Sequence, residues 1–332
     1  MSKMLCIKRT NTNPYYNLAT EEYVLKNFEH DTFMLWRNEP CIIVGKHQNT
    51  LAEVNVEYVR KNNIPVVRRL SGGGAVFHDL GNLNFTFTQQ GNKEQLIDFV
   101  KYTKPIIDIL KSLDINARFE GRNDITIEGK KFSGNAEHVY KNRVLHHGTL
   151  LFSSQMTDLS DALKVSEAKF KDKAVKSVRS RVTNIADHLP ENYADLSVLK
   201  FKELVMDHIV NNYPNTELYE LTEEDDRAIK KLMEEKYATW DWNFGYSPKY
   251  NFKKTIKTDG GSIEFNLDVH DGLIKEAKIF GDYFNSQPTY HIENMLEETP
   301  HEYQKIMEKL NGIDIKKYFN KVTKEELISG LF

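Results

Sequence analysis

The chain has 332 residues, 40% of them hydrophobic and 28% charged. That is too long for one typical core and enough for two, and the balance is that of a globular chain, not a disordered one. A net charge of −3 argues against general attraction to nucleic acid, and no apolar run approaches the length of a membrane span. The first residues, Met1-Ser2-Lys3-Met4-Leu5-Cys6, lack the long apolar core of a signal peptide. Cys6 and Cys41 lie in short apolar runs, where buried free thiols are a simpler reading than a disulfide. The expectation is a cytoplasmic protein, with neither a nucleic-acid nor a membrane partner.

In chain order, Asn13-Pro14 suits a helix start, with Asn as N-cap and Pro at the first helical position. Phe33–Trp36 and Cys41–Gly45 read as buried strands, 55–63 as a short helix, and Ile64–Val67 as a strand. After Ser71-Gly72-Gly73-Gly74, Ala75–His78 is a second strand. Leu83–Thr88 alternates apolar with polar residues, the period of a half-buried strand. Residues 93–113 carry a helical stripe that Pro105 is expected to kink or break. A meander of strands follows at Ala117–Glu120, Asp124–Ile127, Lys131–Ala136 and Val144–Phe152. Residues 158–180 are lysine-rich and poor in large apolar side chains and read as a mobile segment. Helices are expected at 195–212 and 222–237, the second opening with a capping-box pattern at Thr222. Beyond the aromatic stretch Trp240–Tyr246, Asp271-Gly272 marks a hairpin, and a second capping-box pattern begins at Thr323. The expected division is 1–246 and 247–332.

The triple glycine is the most informative stretch. Gly reaches positive φ freely and lets a ligand approach the backbone, at an entropic cost on folding. Here the glycines join strand to strand, and no Lys-Ser/Thr follows. Walker and Rossmann loops, which both open a helix, are therefore excluded. Two readings remain: a tight connection with no ligand, or a run of backbone N–H groups cupping an anion, helped by Arg68 and Arg69. Lys131 is either an ordinary hairpin lysine or a cation of the site, with Asp124 close by on the hairpin. Arg179 and Arg181 either face a phosphate together or are simply solvated. His146 and His147 are adjacent on a strand, so they point to opposite faces and cannot share a metal ion.

The motifs Arg68–Asn82, Gly121-Arg122-Asn123-Asp124, Lys131-Phe132-Ser133-Gly134, His146–Leu150, Ser177–Asn184, Asn13–Ala19 and Trp240–Gly245 together resemble the signature of the lipoate–protein ligases. They stand in family order across the first 246 residues. The resemblance implies an α+β fold of the biotin/lipoate ligase kind: a large catalytic domain of mixed and antiparallel sheets with surrounding helices, then a small α+β accessory domain. It implies ATP-dependent conversion of lipoate to lipoyl-AMP, then transfer to a lysine of an apo lipoyl domain. Candidate carriers are the glycine-cleavage H protein and the acyltransferase subunits of 2-oxoacid dehydrogenases.

By the family pattern, Arg69, Gly74, Ala75, Val76 and Phe77 contact ATP, and Lys131 contacts both ATP and the lipoyl carboxylate as the catalytic residue. Ser71, Gly73 and His147 join Lys131 around lipoate, and Arg179 and Arg181 sit on a loop that closes over the adenylate. Mg2+ is expected with ATP, and Asp124 is the one candidate ligand. The lipoyl tail needs an apolar tunnel, for which Phe33, Phe77 and Leu145 are candidates. A monomer is expected. Two rivals remain: an acyltransferase with a cysteine nucleophile and no ATP, and a binding protein without activity. The absence of any cysteine after Cys41 weighs against the first.

Overall fold

A computed structural model describes residues 3–91, 98–155, 163, 169–172, 182–247, 249–283 and 287–332. The strands are β1 (Met4–Ile7), β2 (Asp31–Trp36), β3 (Cys41–Val44), β4 (Val66–Arg68), β5 (Val76–His78), β6 (Asn82–Gln90), β7 (Ala117–Glu120) and β8 (Asp124–Ile127). They continue as β9 (Lys130–Tyr140), β10 (Arg143–Leu151), β11 (Lys169–Asp172), β12 (Thr216–Tyr219), β13 (Tyr250–Thr258), β14 (Gly261–His270) and β15 (Leu273–Gly281). They form an eight-stranded sheet in the order β12-β1-β2-β6-β10-β9-β8-β7, a three-stranded sheet β4-β3-β5 and a four-stranded sheet β11-β13-β14-β15. The fold is α+β. The chain divides into two compact units, one of Met1–Lys46, Val67–Leu159 and Val178–Ala238, the other of His47–Val66, Ser160–Ser177 and Thr239–Phe332.

In the first unit, β1 runs parallel to both β2 and β12. From β2 through β6, β10, β9 and β8 to β7 each strand is antiparallel to the next. The side chains of a strand alternate between faces, and here each face meets a different layer. On one face Phe33, Phe85, Phe87, Val144 and Leu150 join a core with Ile106 and Leu110 of helix Phe99–Ser112 and Phe201, Val205 and Ile209 of helix Val198–Asn212. Helix Phe99–Ser112 is capped by Asp98, which accepts from Lys101 N, and it continues through Pro105. Pro105 forgoes one i→i−4 bond, but it is itself buried beside Ile106 and Ile109. The helix therefore does not break where the sequence suggested. The part of that stripe at 93–97 lies outside the described residues.

On the other face lies α1 (Pro14–Asn27). Asn13 caps it by accepting from Tyr16 N, with Pro14 at the start. Tyr16 donates to Asp226 and Tyr23 to Asp225, both on helix Glu223–Leu232. That helix opens with the capping box expected at Thr222. Two carboxylates of α1, Glu21 and Glu22, are buried. Glu22 accepts from Lys26, Lys236 and Tyr237, so its charge is paired, as burial requires. Glu21 leads to the site.

In the second unit, β13, β14 and β15 form an antiparallel meander. Its apolar face packs Phe252, Phe265 and Leu267 against Ile292, Leu296, Phe319 and Leu327 from the C-terminal helices. Asp271 and Gly272 have φ of 50° and 74°, the doubly positive pair of a type I′ hairpin turn. The capping box at Thr323 is formed. Within the lysine-rich stretch 158–180, Lys169–Asp172 pairs antiparallel with Lys253–Tyr250 as an edge strand, and nearly all the rest lies outside the described residues.

Candidate active site

The glycine loop spans β4 and β5, the two outer strands of the three-stranded sheet. Its geometry is set by the arginine before it. Arg69 is buried and turns its guanidinium back on its own loop. Nη2 donates to Gly72 O at 2.6 Å and to Gly74 O at 2.8 Å, Nε donates to Ser71 Oγ at 3.0 Å, and Nη1 donates to Ile43 O at 3.3 Å. Burial pushes its pKa down to about 10, so it stays charged at neutral pH. A peptide plane places C=O and the following N–H on opposite sides. Gathering the carbonyls of Gly72 and Gly74 therefore aims the N–H groups of Gly73 and Ala75 away from Arg69. Arg68 plays a similar role nearby, donating to Gly45 O and Lys46 O, both at 3.0 Å.

Two glycines make this path possible. Gly73 has φ of 95°, and a Cβ there would lie 2.9 Å from Arg69 Nη2. At Gly45, the end of β3 passes so near the loop that a Cβ would lie 2.1 Å from Gly73 O.

Ser71 ties the loop to the large sheet. Its Oγ, which accepts from Arg69, lies 2.6 Å from His147 Nε2 on β10, and His147 Nδ1 lies 2.9 Å from Glu21 Oε1 on α1. Thr86 also donates to Glu21, at 2.6 Å, and receives a bond from Trp36 Nε1 at 2.8 Å. One line of hydrogen bonds joins Arg69, Ser71, His147 and Glu21, and another joins Trp36, Thr86 and Glu21. A serine, a histidine and a carboxylate thus stand in line, which spacing in the sequence did not reveal. Ser71 Oγ is loaded by a guanidinium donor and is 1% exposed. That suits a fixed positioning group better than a nucleophile.

His78, beside Arg69 and His147, is neutral. Burial, then those two neighbours, push its pKa down to about 3. Asn38 Nδ2 lies 3.1 Å from its Nδ1, so the proton sits on Nε2, a buried atom with no partner among the described residues. An unsatisfied buried donor is costly.

Lys131 lies at the start of β9. Its Nζ is 2.8 Å from Asp124 Oδ1 on β8, and both side chains are about one-third exposed. It packs over Gly134, where a Cβ would come within 3.0 Å of Nζ. Gly134 N in turn donates to Thr149 Oγ1 on β10 at 3.1 Å. Thr149 is two residues beyond His147, on the same face of β10. That strand therefore joins the braced loop to Lys131. Val182 forms a parallel bridge with Lys131, and Thr183 N donates to Lys131 O at 2.9 Å. Arg179 and Arg181 lie outside the described residues, but the chain that follows them ends against the Lys131 backbone.

Other expectations sort by face. His146 and His147 point to opposite faces, and among the described residues no group of three His, Cys, Asp or Glu could hold a metal ion. Leu145 shares the face of His147. Phe33 does not: it belongs to the core on the opposite face, 4.7 Å from Phe87. Cys6 and Cys41 are both fully buried free thiols. Burial pushes the Cys6 thiol up to about 12 and Cys41 higher still. Neither is a nucleophile at neutral pH, since the thiolate is the reactive form.

Two family models match the chain: the lipoyl protein ligase A/B catalytic domain over residues 13–210, and the bacterial lipoate protein ligase C-terminus over residues 247–331. The chain belongs to the lipoate–protein ligase family. It is 42% identical over 334 residues to the lipoate-protein ligase LplJ of Bacillus subtilis (strain 168), covering 99% of this chain and 100% of that protein. Among solved structures it is similar to a lipoate-protein ligase A bound with ATP, at 26% identity and a TM-score of 0.60, covering 74% of this chain and 99% of that one. It is also similar to a bi-partite lipoate protein ligase studied with its E2 lipoyl domain from Thermoplasma acidophilum, at 25% identity and a TM-score of 0.61, covering 74% of this chain and 96% of that one.

Proposed function

We infer that this chain activates lipoate with ATP, giving lipoyl-AMP and pyrophosphate, and then passes the lipoyl group to a lysine of an apo lipoyl domain. The observation that carries the assignment of the site is the arrangement along β10: a glycine loop braced from behind by Arg69, and Lys131 beside Thr149 on the same face.

In the first step a lipoate carboxylate oxygen attacks the α-phosphorus, the bond to the bridging oxygen breaks, and pyrophosphate leaves. Two anions must meet. Fixed cations and N–H groups that need no reorientation lower that barrier most. Gly73 lies with Ser71 at the lipoyl end, and the backbone of Gly74, Ala75, Val76 and Phe77 contacts the nucleotide. Arg69 acts on it chiefly by holding that loop, and its charge lies directly behind. Lys131, a compact point charge, stands between carboxylate and phosphate. Ser71 and His147 hold the lipoyl end, with Leu145 and Phe77 beside them. By the family pattern, Arg179 and Arg181 close over the adenylate.

Mg2+ accompanies the nucleotide. An ion of this kind needs only one or two carboxylates, and Asp124, which pairs with Lys131 through Oδ1, would be the candidate to hold it, where it would offset phosphate charge. Residues 1–246 form the catalytic part and 247–332 the accessory part. The acceptors are the lipoyl domains of the H protein and of 2-oxoacid dehydrogenase acyltransferases, and the enzyme works as a cytoplasmic monomer.

The test is pyrophosphate release with lipoate and ATP, followed by mass spectrometry of several apo lipoyl domains for the lipoyl mass gain. Lys131→Ala, at a half-exposed hairpin position, should fold normally and lose adenylate formation. Near-normal adenylation by the folded variant would remove Lys131 from its role. Transfer of free lipoate without any nucleotide would overturn the ligase reading.

A further inference from the structure

A second buried polar network lies on the core face of β10, and the reaction described above makes no use of it. Glu137 on β9 and His146 on β10 are cross-strand partners. Glu137 Oε1 and His146 Nδ1 are 2.8 Å apart, with side chains 2% and 0% exposed. The His146 ring stacks on Tyr102 at 4.9 Å and on Phe85 at 5.7 Å. Its Nε2 lies 3.3 Å from Asn135 Oδ1. The other end of that amide donates to Asn123 O at 3.1 Å and to Ser133 Oγ at 3.2 Å. Those two acceptors fix which way the amide faces, so Oδ1 accepts and His146 Nε2 carries a proton.

Asn135 and Asn123 clasp each other further. Asn135 N donates to Asn123 O at 2.9 Å, and Asn123 Nδ2 donates to Asn135 O at 2.6 Å. The next residue after Asn123 is Asp124, whose carboxylate holds Lys131 Nζ. Gly148 makes room for the arrangement: a Cβ there would lie 2.2 Å from Asn135 Oδ1.

A purely structural core would do better with apolar side chains, because a buried polar network is costly unless every member is satisfied. This one ends at the corner that carries the counter-ion of Lys131. We propose that Asn135, anchored by the Glu137–His146 pair, is a positioning residue that fixes the Asn123–Asp124 corner and thereby sets where the Lys131 ammonium stands. The proposal rests on the role given to Lys131 above. A misplacement of about 1 Å in such a site can cost on the order of 100-fold in rate.

The proton inventory agrees. With Nε2 protonated toward Asn135, one further proton lies between His146 Nδ1 and Glu137. Burial pushes the Glu137 carboxyl up to about 7, against a backbone hydrogen bond from Asp98 and the pull of Lys101, and burial with His147 drives His146 well down. Tyr102 faces the same cluster from the helix that carries Lys101. Below about pH 7 the pair is a carboxylic acid donating to a neutral imidazole.

The experiment compares wild type, Asn135→Leu, His146→Phe and Lys131→Ala. Leucine keeps the branched outline of Asn135, with a larger volume, and removes its amide. Phenylalanine fills the slot between Tyr102 and Phe85 and leaves Asn135 in place, so it serves if Asn135→Leu does not fold. Two readouts are taken: steady-state pyrophosphate release, and competitive acetylation of Lys131 scored against Lys26 by peptide mass spectrometry. Asn135→Leu and His146→Phe should lower kcat 10-fold or more with KM for lipoate within about 3-fold. Acetylation of Lys131 should rise several-fold in both, with Lys26 unchanged. A folded Asn135→Leu with wild-type kcat and wild-type labelling of Lys131 would overturn the proposal. Full adenylation by Lys131→Ala would instead overturn the catalytic reading of Lys131, and the labelling alone would then decide whether Asn135 positions it.

Discussion

The two faces of β10 carry adjacent histidines with opposite surroundings. His147 faces α1 and the glycine loop, in a line of hydrogen bonds that joins a permanently charged Arg69 to Glu21. His146 faces the apolar core, stacked between aromatic rings and paired with a carboxyl group. One face is polar and reaches the glycine loop. The other is apolar, and among the described residues it reaches the Asp124–Lys131 pair through the Asn135–Asn123 clasp. On the functions proposed above, one strand would support the site from both sides.

The sharpest way to break the core side is Gly148→Ala. Its Cβ would meet Asn135 Oδ1 at 2.2 Å and Phe85 at 2.5 Å, so ring and amide must both move. Overpacking of this kind costs about 1–3 kcal/mol, and loss of the Asn135 bonds adds to it. Adenylation should fall more than 100-fold, and the thermal midpoint should drop by several degrees. A wild-type rate in pyrophosphate release would show that this face is indifferent to the site.

On the loop side the matching change is Gly45→Ala, which drives a Cβ into Gly73 O at 2.1 Å. The loop must shift off Arg69. ATP affinity by calorimetry should fall at least 10-fold, with a stability loss of about 1–3 kcal/mol. Unaltered nucleotide binding would mean that the loop path does not matter to it.

Glu137→Gln probes the pH behaviour of the core pair. In the folded protein the pair holds one proton, on Glu137, whose carboxyl is raised from 4.5 to about 7, while His146 stays neutral. Unfolded, between pH about 4.5 and 6.5, the same two residues also hold one proton, on the histidine. Their contribution to stability is therefore flat across that window and declines only slightly from pH 6.5 to 7, where the unfolded chain releases its proton first. In Glu137→Gln the folded pair holds none, so its stability should fall relative to wild type as pH drops from 6.5 to 4.5, by up to about 2.7 kcal/mol. Urea titrations of both proteins at several pH values check this. Parallel stability curves would place the proton elsewhere.

The smallest effect is expected in the second unit. Lys253→Ala removes an exposed ion pair with Glu264 on the second unit. Exposed pairs of this kind contribute little. Stability should hardly change and adenylation not at all; a change in rate would give the meander a part in catalysis.

Much of the fold was legible because local chemistry decided it. The Asn13 cap with Pro14, the Thr222 and Thr323 capping boxes and the Asp271-Gly272 turn each form as their residues demand. The strict alternation of a strand sent His146 and His147 to opposite faces and ruled out a shared metal. The buried thiols followed from their apolar runs.

Other features needed partners distant in sequence. Nothing near Pro105 announced that a helix would run through it; burial against the sheet outweighs one missing bond. Short β1 and β12, with four residues each, become strands because they pair in parallel with neighbours far along the chain. Glu21, a carboxylate in the middle of a helix, is bonded by Thr86 and His147, 65 and 126 residues away.

By itself, then, the sequence determined the caps, the turns, the strand-to-strand nature of the glycine loop and, through its motifs, the family. The tertiary structure decided what the side chains of those motifs do. Arg69 turns inward to gather carbonyls because the loop folds around it, and Asn135 clasps Asn123 because the β8–β9 hairpin brings them face to face. Local rules fix backbone shape within a few residues. The direction of a donor and the burial of a charge depend on which strands meet, and only the assembled sheets settle that.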